Sequence, residues 1–178
     1  MTEVVLAGAL GLVTGLLIFN LQTRREKTAW ERDSRQRAYT EFLLAFQQSV
    51  SRAAKLSLEK LVVNLARAGS GESTFTKGDD LVDELTKSLE EAEQRLGGAH
   101  MHIVLVGTND VFRIVRRMTS ITFVAGTLAR KGMDTGSLEW ETQVWGPGRQ
   151  LRTQYVEEAR KSMGIKAPLI WDEPLDTS

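Results

Sequence analysis

The side chains of this chain with the clearest potential for chemistry are two histidines, His100 and His102. Imidazole nitrogens bind transition metals and exchange protons near neutral pH. Two positions apart, the pair shares one face of a β-strand but diverges on an α-helix. A catalytic zinc site usually has a third protein ligand, and the nearest acid is Asp110. The pattern therefore predicts neither a metal site nor a bound cofactor.

No other group of residues has the spacing of an active site. The chain has no cysteine, which excludes a cysteine nucleophile, thiolate metal ligands and disulfides. Gly69-x-Gly71 lacks the lysine and flanking elements of a phosphate-binding loop, and the G-x-S-x-G and H-E-x-x-H motifs are absent. Acid pairs such as Glu90–Glu91 are adjacent and do not converge, so a solvated helix face explains them. The sequence predicts a protein without catalytic activity.

An arginine cluster, Arg113, Arg116 and Arg117, is the best candidate for a binding surface. The stretch 111–131 is basic and contains no acid, whereas residues 79–93 are strongly acidic. This opposition predicts that the two segments pair as antiparallel helices, with ion pairs that select register more than they stabilise. The alternative is that the cluster binds a phosphate, an anionic lipid headgroup or an acidic partner.

The N-terminal part of the chain contains an uncharged apolar segment at residues 4–21. As a helix rising about 1.5 Å per residue, it comes close to spanning the ~30 Å hydrocarbon core of a bilayer. A cleaved signal peptide is the main alternative, but the start has no basic residue and no A-x-A cleavage site. We therefore predict a transmembrane anchor at residues 1–21.

The charges that flank this segment predict its orientation. Basic residues crowd positions 24–37 and none precedes the segment. The positive-inside rule then places the N-terminus outside the plasma membrane and the C-terminal domain in the cytoplasm. Ala7, Gly11 and Gly15 lie four residues apart on one helix face, which allows two anchors to pack closely, although small residues are common in membrane helices.

Downstream, the apolar spacing predicts an all-α fold. Neither proline nor glycine occurs between Gly15 and Gly69, so the anchor is predicted to continue as one long helix to about Arg67. Its apolar residues recur at steps of three and four from Tyr39 to Leu65, which predicts a core-facing stripe. The predicted parts are the anchor, a charged helical stalk at 22–38, a cytoplasmic bundle of about four antiparallel helices at 39–163, and an extended tail at 164–178.

Glycines and capping residues predict where the later helices begin and end. The second helix is predicted to start at Asp79 and stop at Gly97–Gly98. Residues 102–106 fit a strand or a buried helical turn, and the lack of a partner strand favours helix, with an irregularity at Gly107. Thr108 or Asn109 then caps a third helix, and Ser137 caps a turn or short helix. A break at Gly146-Pro147-Gly148 precedes the last helix, 149–163.

The tail, residues 164–178, contains two prolines, three acids and an isolated tryptophan, Trp171. A lone tryptophan in a polar segment is either a docking anchor for a partner or a contact with the bundle itself. The sequence leaves both interpretations open.

The stretch Arg35-Gln-Arg-Ala-Tyr39-Thr-Glu41-Phe42-Leu43, after an anchor and a charged stalk, resembles small actinobacterial single-pass proteins of unknown function. They carry a similar R-x-R-x-A-Y-x-E-F-L stretch. Ile103–Val111 is loosely similar to an apolar run of that group, although Gly-Thr-Asn stands where the group has proline. Tyr155–Gly164 is similar to its closing aromatic-x-x-x-A-R-x-x-x-G segment. The resemblance implies an anchored helical bundle and carries over no functional residue.

The overall charge excludes one class of partner. With 23 basic and 23 acidic residues, the formal net charge is zero, which argues against bulk nucleic-acid binding. The sequence as a whole predicts a membrane-tethered helical interaction or scaffold protein that self-associates and contacts lipid through its N-terminal helix. The alternative function is a membrane-bound sensor or regulator that binds an anionic ligand or lipid headgroup through the basic helix.

Overall fold

The computed structural model of the chain describes the backbone of residues 2–69 and 76–165, and the side chains of residues 26–68 and 78–165. The elements in chain order are α1 (Thr2–Gly69), α2 (Thr76–Val106), α3 (Asn109–Arg130), α4 (Leu138–Trp140), a π-helical segment (Glu141–Trp145) and α5 (Gly146–Ser162). These ranges contain no strand, which confirms the predicted all-α class. Residues 102–106 form the last turn of α2, so the helical interpretation of that run is also confirmed.

Helices α1 and α2 are antiparallel. Near the start of the bundle, Arg35 of α1 bonds to the carbonyl of Val106 at the end of α2. Further along α1, Arg52 donates to the carbonyl of Ser88, 18 residues before Val106 in α2. Residues later in α1 therefore contact residues earlier in α2.

Helices α3 and α5 continue the alternation. The short turn between α2 and α3 brings Arg130 of α3 back to Glu93 of α2 at 2.8 Å. Helix α5 runs against α1, with Tyr155 bonded to the Tyr39 carbonyl. The result is an up-down-up-down arrangement, the predicted antiparallel bundle of four long helices.

The core forms where the apolar faces of these helices meet, and the stripe of α1 supplies much of it. Burial of each large apolar side chain there stabilises the fold by roughly 1.5–3 kcal/mol. The apolar residues with no exposed surface are Ala38, Phe42, Ala53 and Leu56 of α1, Leu89 and Ile103 of α2, Val111, Val115, Met118, Ala125 and Ala129 of α3, and Trp140.

The predicted stripe is wrong in its second half. Leu58, Val62 and Leu65 are 45%, 57% and 65% exposed. Helix α5 pairs with α1 in antiparallel register, and Gly148 near its N-terminus lies opposite Phe46. Helix α5 therefore does not extend along α1 as far as Leu58. Within the described residues, no other helix covers this part of the stripe.

The predicted helix end at Gly97–Gly98 is also wrong, because α2 continues to Val106. Leu96 and Ile103, on either side of the glycines, are both buried in the core. Their packing outweighs the helix penalty of about 1 kcal/mol per glycine. The helix stops instead at Gly107, and the Thr108 hydroxyl accepts a hydrogen bond from the Val111 amide as the N-cap of α3, which confirms that predicted cap.

Gly146-Pro147-Gly148 does not break the helix as predicted. The Gly146 amide donates to the Glu141 carbonyl five residues earlier, which is the wider π-helical pattern. Pro147 then falls in the first turn of α5, a position where proline is common. The π-helical segment thus joins α4 to α5 without a loop. Ser137 caps α4 by accepting from the Trp140 amide, as predicted.

Among the residues with described side chains, no helix combines the length and apolar character needed to cross a membrane. The side chains of the predicted anchor at 4–21, including the small-residue face of Ala7, Gly11 and Gly15, lie outside the described residues. The tail from residue 166 onward lies outside them as well.

The continuity of α2 predicts that Gly98→Ala stabilises the protein. A Cβ atom at Gly98 meets no atom within 4 Å. Alanine is more favourable than glycine in a helix interior by about 1 kcal/mol, which for a chain of this size raises Tm by roughly 2–4 °C. Thermal unfolding followed by circular dichroism measures the change.

Gly107→Ala is the matched control for this substitution. At Gly107 the added Cβ atom lies 2.6 Å from the Ile103 carbonyl oxygen, so we expect Tm to fall. A lower Tm for Gly98→Ala would contradict a continuous α2.

Candidate functional site

The arginine cluster Arg113, Arg116 and Arg117 lies on the exposed surface of α3. Asp110 approaches Arg113 at 4.0 Å with both side chains largely exposed, and such pairs contribute little. Arg116 and Arg117 have no ion-pair partner in the part of the chain that the structure describes. The predicted pairing of the acidic and basic helices is met by Arg130 and Glu93, at the far end of α3. The cluster itself faces solvent.

The two histidines face different neighbours. His100 Nδ1 lies 3.2 Å from Thr119 Oγ1 of α3, whereas His102 Nδ1 lies 3.1 Å from Glu41 Oε2 of α1. They diverge as expected on a helix. Within the described ranges, no three histidine, aspartate or glutamate side chains gather as a metal site would require. His100 therefore links α2 to α3, and His102 links α2 to α1.

A groove with a volume of about 350 Å³ lies between α1 and the unit formed by the π-helical segment and α5. We call it the α1–α5 groove. Its apolar wall consists of Phe46, Val50, Ala54, Leu58, Val144, Trp145 and Gly148, and its polar rim of Gln47, Ser51, Lys55, Arg149 and Arg152. A concave apolar surface with a few polar groups at its edge is the usual form of a ligand-binding or peptide-binding site.

One end of the α1–α5 groove is closed by Tyr155. Its ring stands edge-on to Tyr39 with centroids 6.2 Å apart, and it lies 5.4 Å from the ring of Phe42. Its hydroxyl donates to the Tyr39 carbonyl at 2.8 Å. Burial raises the pKa of Tyr155 well above its ordinary value, so the phenol stays neutral and keeps this bond at physiological pH. Tyr155 thus acts as a fixed spacer between α1 and α5.

Beyond this spacer the gap stays open because α5 presents small or charged residues there. One turn and two turns before Tyr155, the positions toward α1 are occupied by Arg152 and Gly148. Gly148 has no side chain to fill the space, and a Cβ atom at this position would still lie 3.9 Å from Phe46 Cζ. The groove is therefore a direct result of the α5 sequence.

The π-helical segment forms the opposite wall and fixes Trp145 in place. The indole of Trp145 packs on Trp140 with centroids 5.5 Å apart, and its Nε1 donates to the Thr135 carbonyl at 3.1 Å. Trp140 behind it is fully buried, and its own indole N–H has no hydrogen-bond partner among the described residues. Single π-helical turns occur often at functional sites. The groove thus has a rigid aromatic wall.

The rim of the groove is positively charged. Arg149 forms an ion pair with Glu141, whereas Lys55 and Arg152 have no acidic partner in the described part of the chain. An apolar cleft edged by unpaired cations suits a ligand with an apolar body and carboxylates or phosphates beside it. The groove is therefore the stronger of the two candidate surfaces, since it combines an apolar concave wall with cations.

The spacing assigned Phe46 and Val50 to the core, which the structure confirms, since they are 5% and 8% exposed. The spacing could not show that the same two side chains also line a groove. The available signal was the run from Gly146 to Arg152, where the start of α5 carries Gly148, Arg149 and Arg152 in place of large apolar residues. Comparison of the chain with protein-family models, curated proteins and solved structures gives no significant match, so the functional argument depends on the geometry of the groove.

Proposed function

We propose that the chain is a membrane-tethered helical interaction module that binds an apolar, acidic segment of a partner protein in the α1–α5 groove. The groove is the observation that supports the proposal. It joins apolar side chains, Phe46 and Trp145 among them, to two cations without acidic partners in the described chain, Lys55 and Arg152. A partner helix or strand with apolar residues flanked by carboxylates would cover the apolar wall of the groove and neutralise its two cations.

The tether in this proposal is the apolar segment at residues 4–21 with its basic flank. Arg35, 14 residues after Leu21, bonds to the Val106 carbonyl of α2 within the bundle. At about 1.5 Å per residue, the bundle would begin roughly 21 Å from the bilayer. We propose that the domain lies in the cytoplasm, where it meets partners close to the plasma membrane. The resemblance to anchored actinobacterial proteins supports the same arrangement.

Self-association is the second part of the proposal. Ala7, Gly11 and Gly15 are spaced for close approach of two membrane helices. Helix α1 is continuous from Thr2 to Gly69, so pairing of the anchors would place two bundles side by side. Two tethered grooves would then bind a divalent partner more tightly than one groove alone.

A photo-crosslinking residue at Ser51 tests the groove as the partner site. Ser51 is exposed and lines the groove, and Ser120, exposed on α3, is the reference position. In native membranes we expect a discrete adduct from Ser51 that Ser120 does not give. Lys55→Glu with Arg152→Glu should lower its yield about tenfold, because the repelled carboxylates weaken binding by about 1.4 kcal/mol.

Lys87→Glu with Arg95→Glu is the charge-matched control for this experiment. Both residues are exposed on α2, and the pair changes the net charge by the same amount. The yield at Ser51 should then be unchanged. Identical adducts from Ser51 and Ser120 would contradict a specific groove partner.

Replacement of the small anchor residues tests self-association. Gly11→Leu with Gly15→Leu widens the helix face, so we expect energy transfer between differently labelled full-length copies in lipid bilayers to fall to the level of random encounter. Ala9→Leu adds the same side chain on the opposite side of the helix, because Ala9 lies about 160° from the centre of the Ala7-Gly11-Gly15 face, and should leave the transfer unchanged. Equal transfer in both variants would argue against the anchor face.

The arginine cluster supports a second candidate function, a sensor of anionic ligands. Arg116 and Arg117 are exposed, and the only nearby acid with a described contact is Asp110, which pairs with Arg113. Guanidinium groups bind phosphate oxygens in bidentate geometry. Such a site would lie on α3, apart from the groove, and would bind a phosphate-bearing ligand or headgroup.

Charge reversal of the cluster tests this candidate. With inositol hexakisphosphate as the probe, calorimetry on the detergent-solubilised chain should detect binding that weakens with salt. Arg113→Glu, Arg116→Glu and Arg117→Glu together should abolish it without changing Tm, since all three side chains are solvent-exposed. Binding that survives the triple reversal would eliminate the cluster as an anion site.

A further inference from the structure

We propose that the C-terminal segment, residues 166–178, folds back along α5 and occupies the α1–α5 groove of its own chain. In this arrangement Trp171 contacts the apolar wall, and Asp172 and Glu173 lie beside the cationic rim. The docking itself is independent of any partner. Its regulatory consequence rests on the proposed function, since the segment would compete with a partner for the same groove.

The place where the described chain ends favours this path. The Gly164 amide donates to the Lys161 carbonyl, and the Ile165 amide donates to the Arg160 carbonyl at 3.0 Å. Gly164 has a φ of +72°. These bonds form a Schellman motif, in which a left-handed glycine ends the helix and turns the chain off the helix axis. The segment therefore leaves the end of α5 without continuing outward along it.

The length of the segment matches the distance to the groove. Gly148 lies 12 residues before Arg160 in α5, which at about 1.5 Å per residue corresponds to roughly 18 Å. Trp171 is six residues after Ile165, and an extended chain spans about 3.3–3.6 Å per residue, or roughly 20 Å. An extended segment that returns along α5 thus brings Trp171 level with Gly148, at the centre of the groove.

The chemistry of the segment matches that of the groove. Leu169, Ile170 and Trp171 form an apolar run, and Asp172 and Glu173 follow at once. Pro168 and Pro174 flank the run and disfavour a helix across it, which suits an extended path.

The groove offers the complementary surface. The indole of Trp145 and the side chains of Phe46 and Val50 form its apolar wall, and Lys55 and Arg152 provide cations without acidic partners among the described residues. The exposed arginine cluster on α3 could attract the same acids, but it is not part of the apolar wall that would hold Trp171. We therefore place the segment in the groove.

Quenching of a bimane fluorophore by tryptophan tests the proposal on the full-length chain. Since the chain has no cysteine, Ser51→Cys gives one labelled position in the groove, and Ser120→Cys gives one beside Arg116 and Arg117. Tryptophan quenches bimane only near contact, and phenylalanine does not. Comparison of each labelled protein with its Trp171→Phe variant isolates the effect of Trp171 from that of Trp145.

We expect Trp171→Phe to raise the emission from Ser51 by roughly twofold, as for a docked state that holds at least half of the molecules. The emission from Ser120 should not change. Asp172→Lys with Glu173→Lys should raise the Ser51 emission likewise, since the rim would then repel the segment. Circular dichroism should give the same Tm for each variant and its parent, because no described core residue is altered.

Two outcomes would overturn the proposal. One is an unchanged Ser51 emission in Trp171→Phe, with or without a change at Ser120. The other is quenching that grows with protein concentration, which assigns the segment to a neighbouring copy. The proposed function is tested separately from this docking. If the groove binds no partner, crosslinking from Ser51 in native membranes gives no adduct, whatever the quenching result. If both proposals hold, deletion of residues 166–178 raises the yield of that adduct.

Discussion

The guanidinium of Arg35 joins three helices at the end of the bundle where α1 enters. Its Nε donates to the carbonyl of Val106 at 3.0 Å, and its Nη1 donates to the carbonyl of Ser162 at 3.3 Å. The last carbonyls of a helix lack intrahelical partners and form the negative end of its dipole, so a cation placed there is doubly favourable. Because Arg35 belongs to α1, it sets the positions of α2 and α5 against the one helix that runs the length of the bundle.

The α1–α5 groove follows from this constraint. With the end of α5 held at Arg35, Tyr155 falls beside Tyr39 and Phe42, where its ring keeps the two helices apart. The same register carries Gly148 to the level of Phe46. The ring of Tyr155 sets the distance between α1 and α5 at one end of the groove. At the other end, Gly148 and Arg152 do not fill the space between the two helices. An open apolar cleft with a charged edge is the result, and the proposed partner and the proposed C-terminal segment both depend on it.

The sequence predicted those parts of the fold that local patterns encode. The absence of breakers predicted a continuous α1, the spacing from Tyr39 to Ala53 predicted its core face, and Thr108 was recognised as a cap. Glycine did not reliably predict where helices end, since Gly97 and Gly98 lie inside α2 and Gly146 lies at a π-to-α junction. In both places tertiary packing determined the outcome, because buried residues on either side of the glycines hold the helix together.

The groove was beyond prediction for a different reason. Phe46 and Val50 belong to the same buried stripe as Phe42, and their spacing alone cannot show that a groove forms beside them. That depends on the register of α5 against α1, which is set by contacts between residues more than a hundred positions apart, such as Tyr155 with Tyr39. The opposite charges of α2 and α3 predicted that these helices pair, but the interhelical ion pair is made by Arg130 with Glu93, whereas the arginine cluster is exposed to solvent.

We expect the groove to be a permanent feature of the bundle that needs no occupant to hold it open. Spin labels at Gln48→Cys on α1 and Thr153→Cys on α5, both exposed positions, allow electron–electron resonance to measure the separation of the two helices in the full-length chain. The account predicts a single narrow distance distribution that is unchanged when residues 166–178 are deleted. A shift to shorter distances or a broad distribution after the deletion would show that α5 collapses onto α1, and would contradict it.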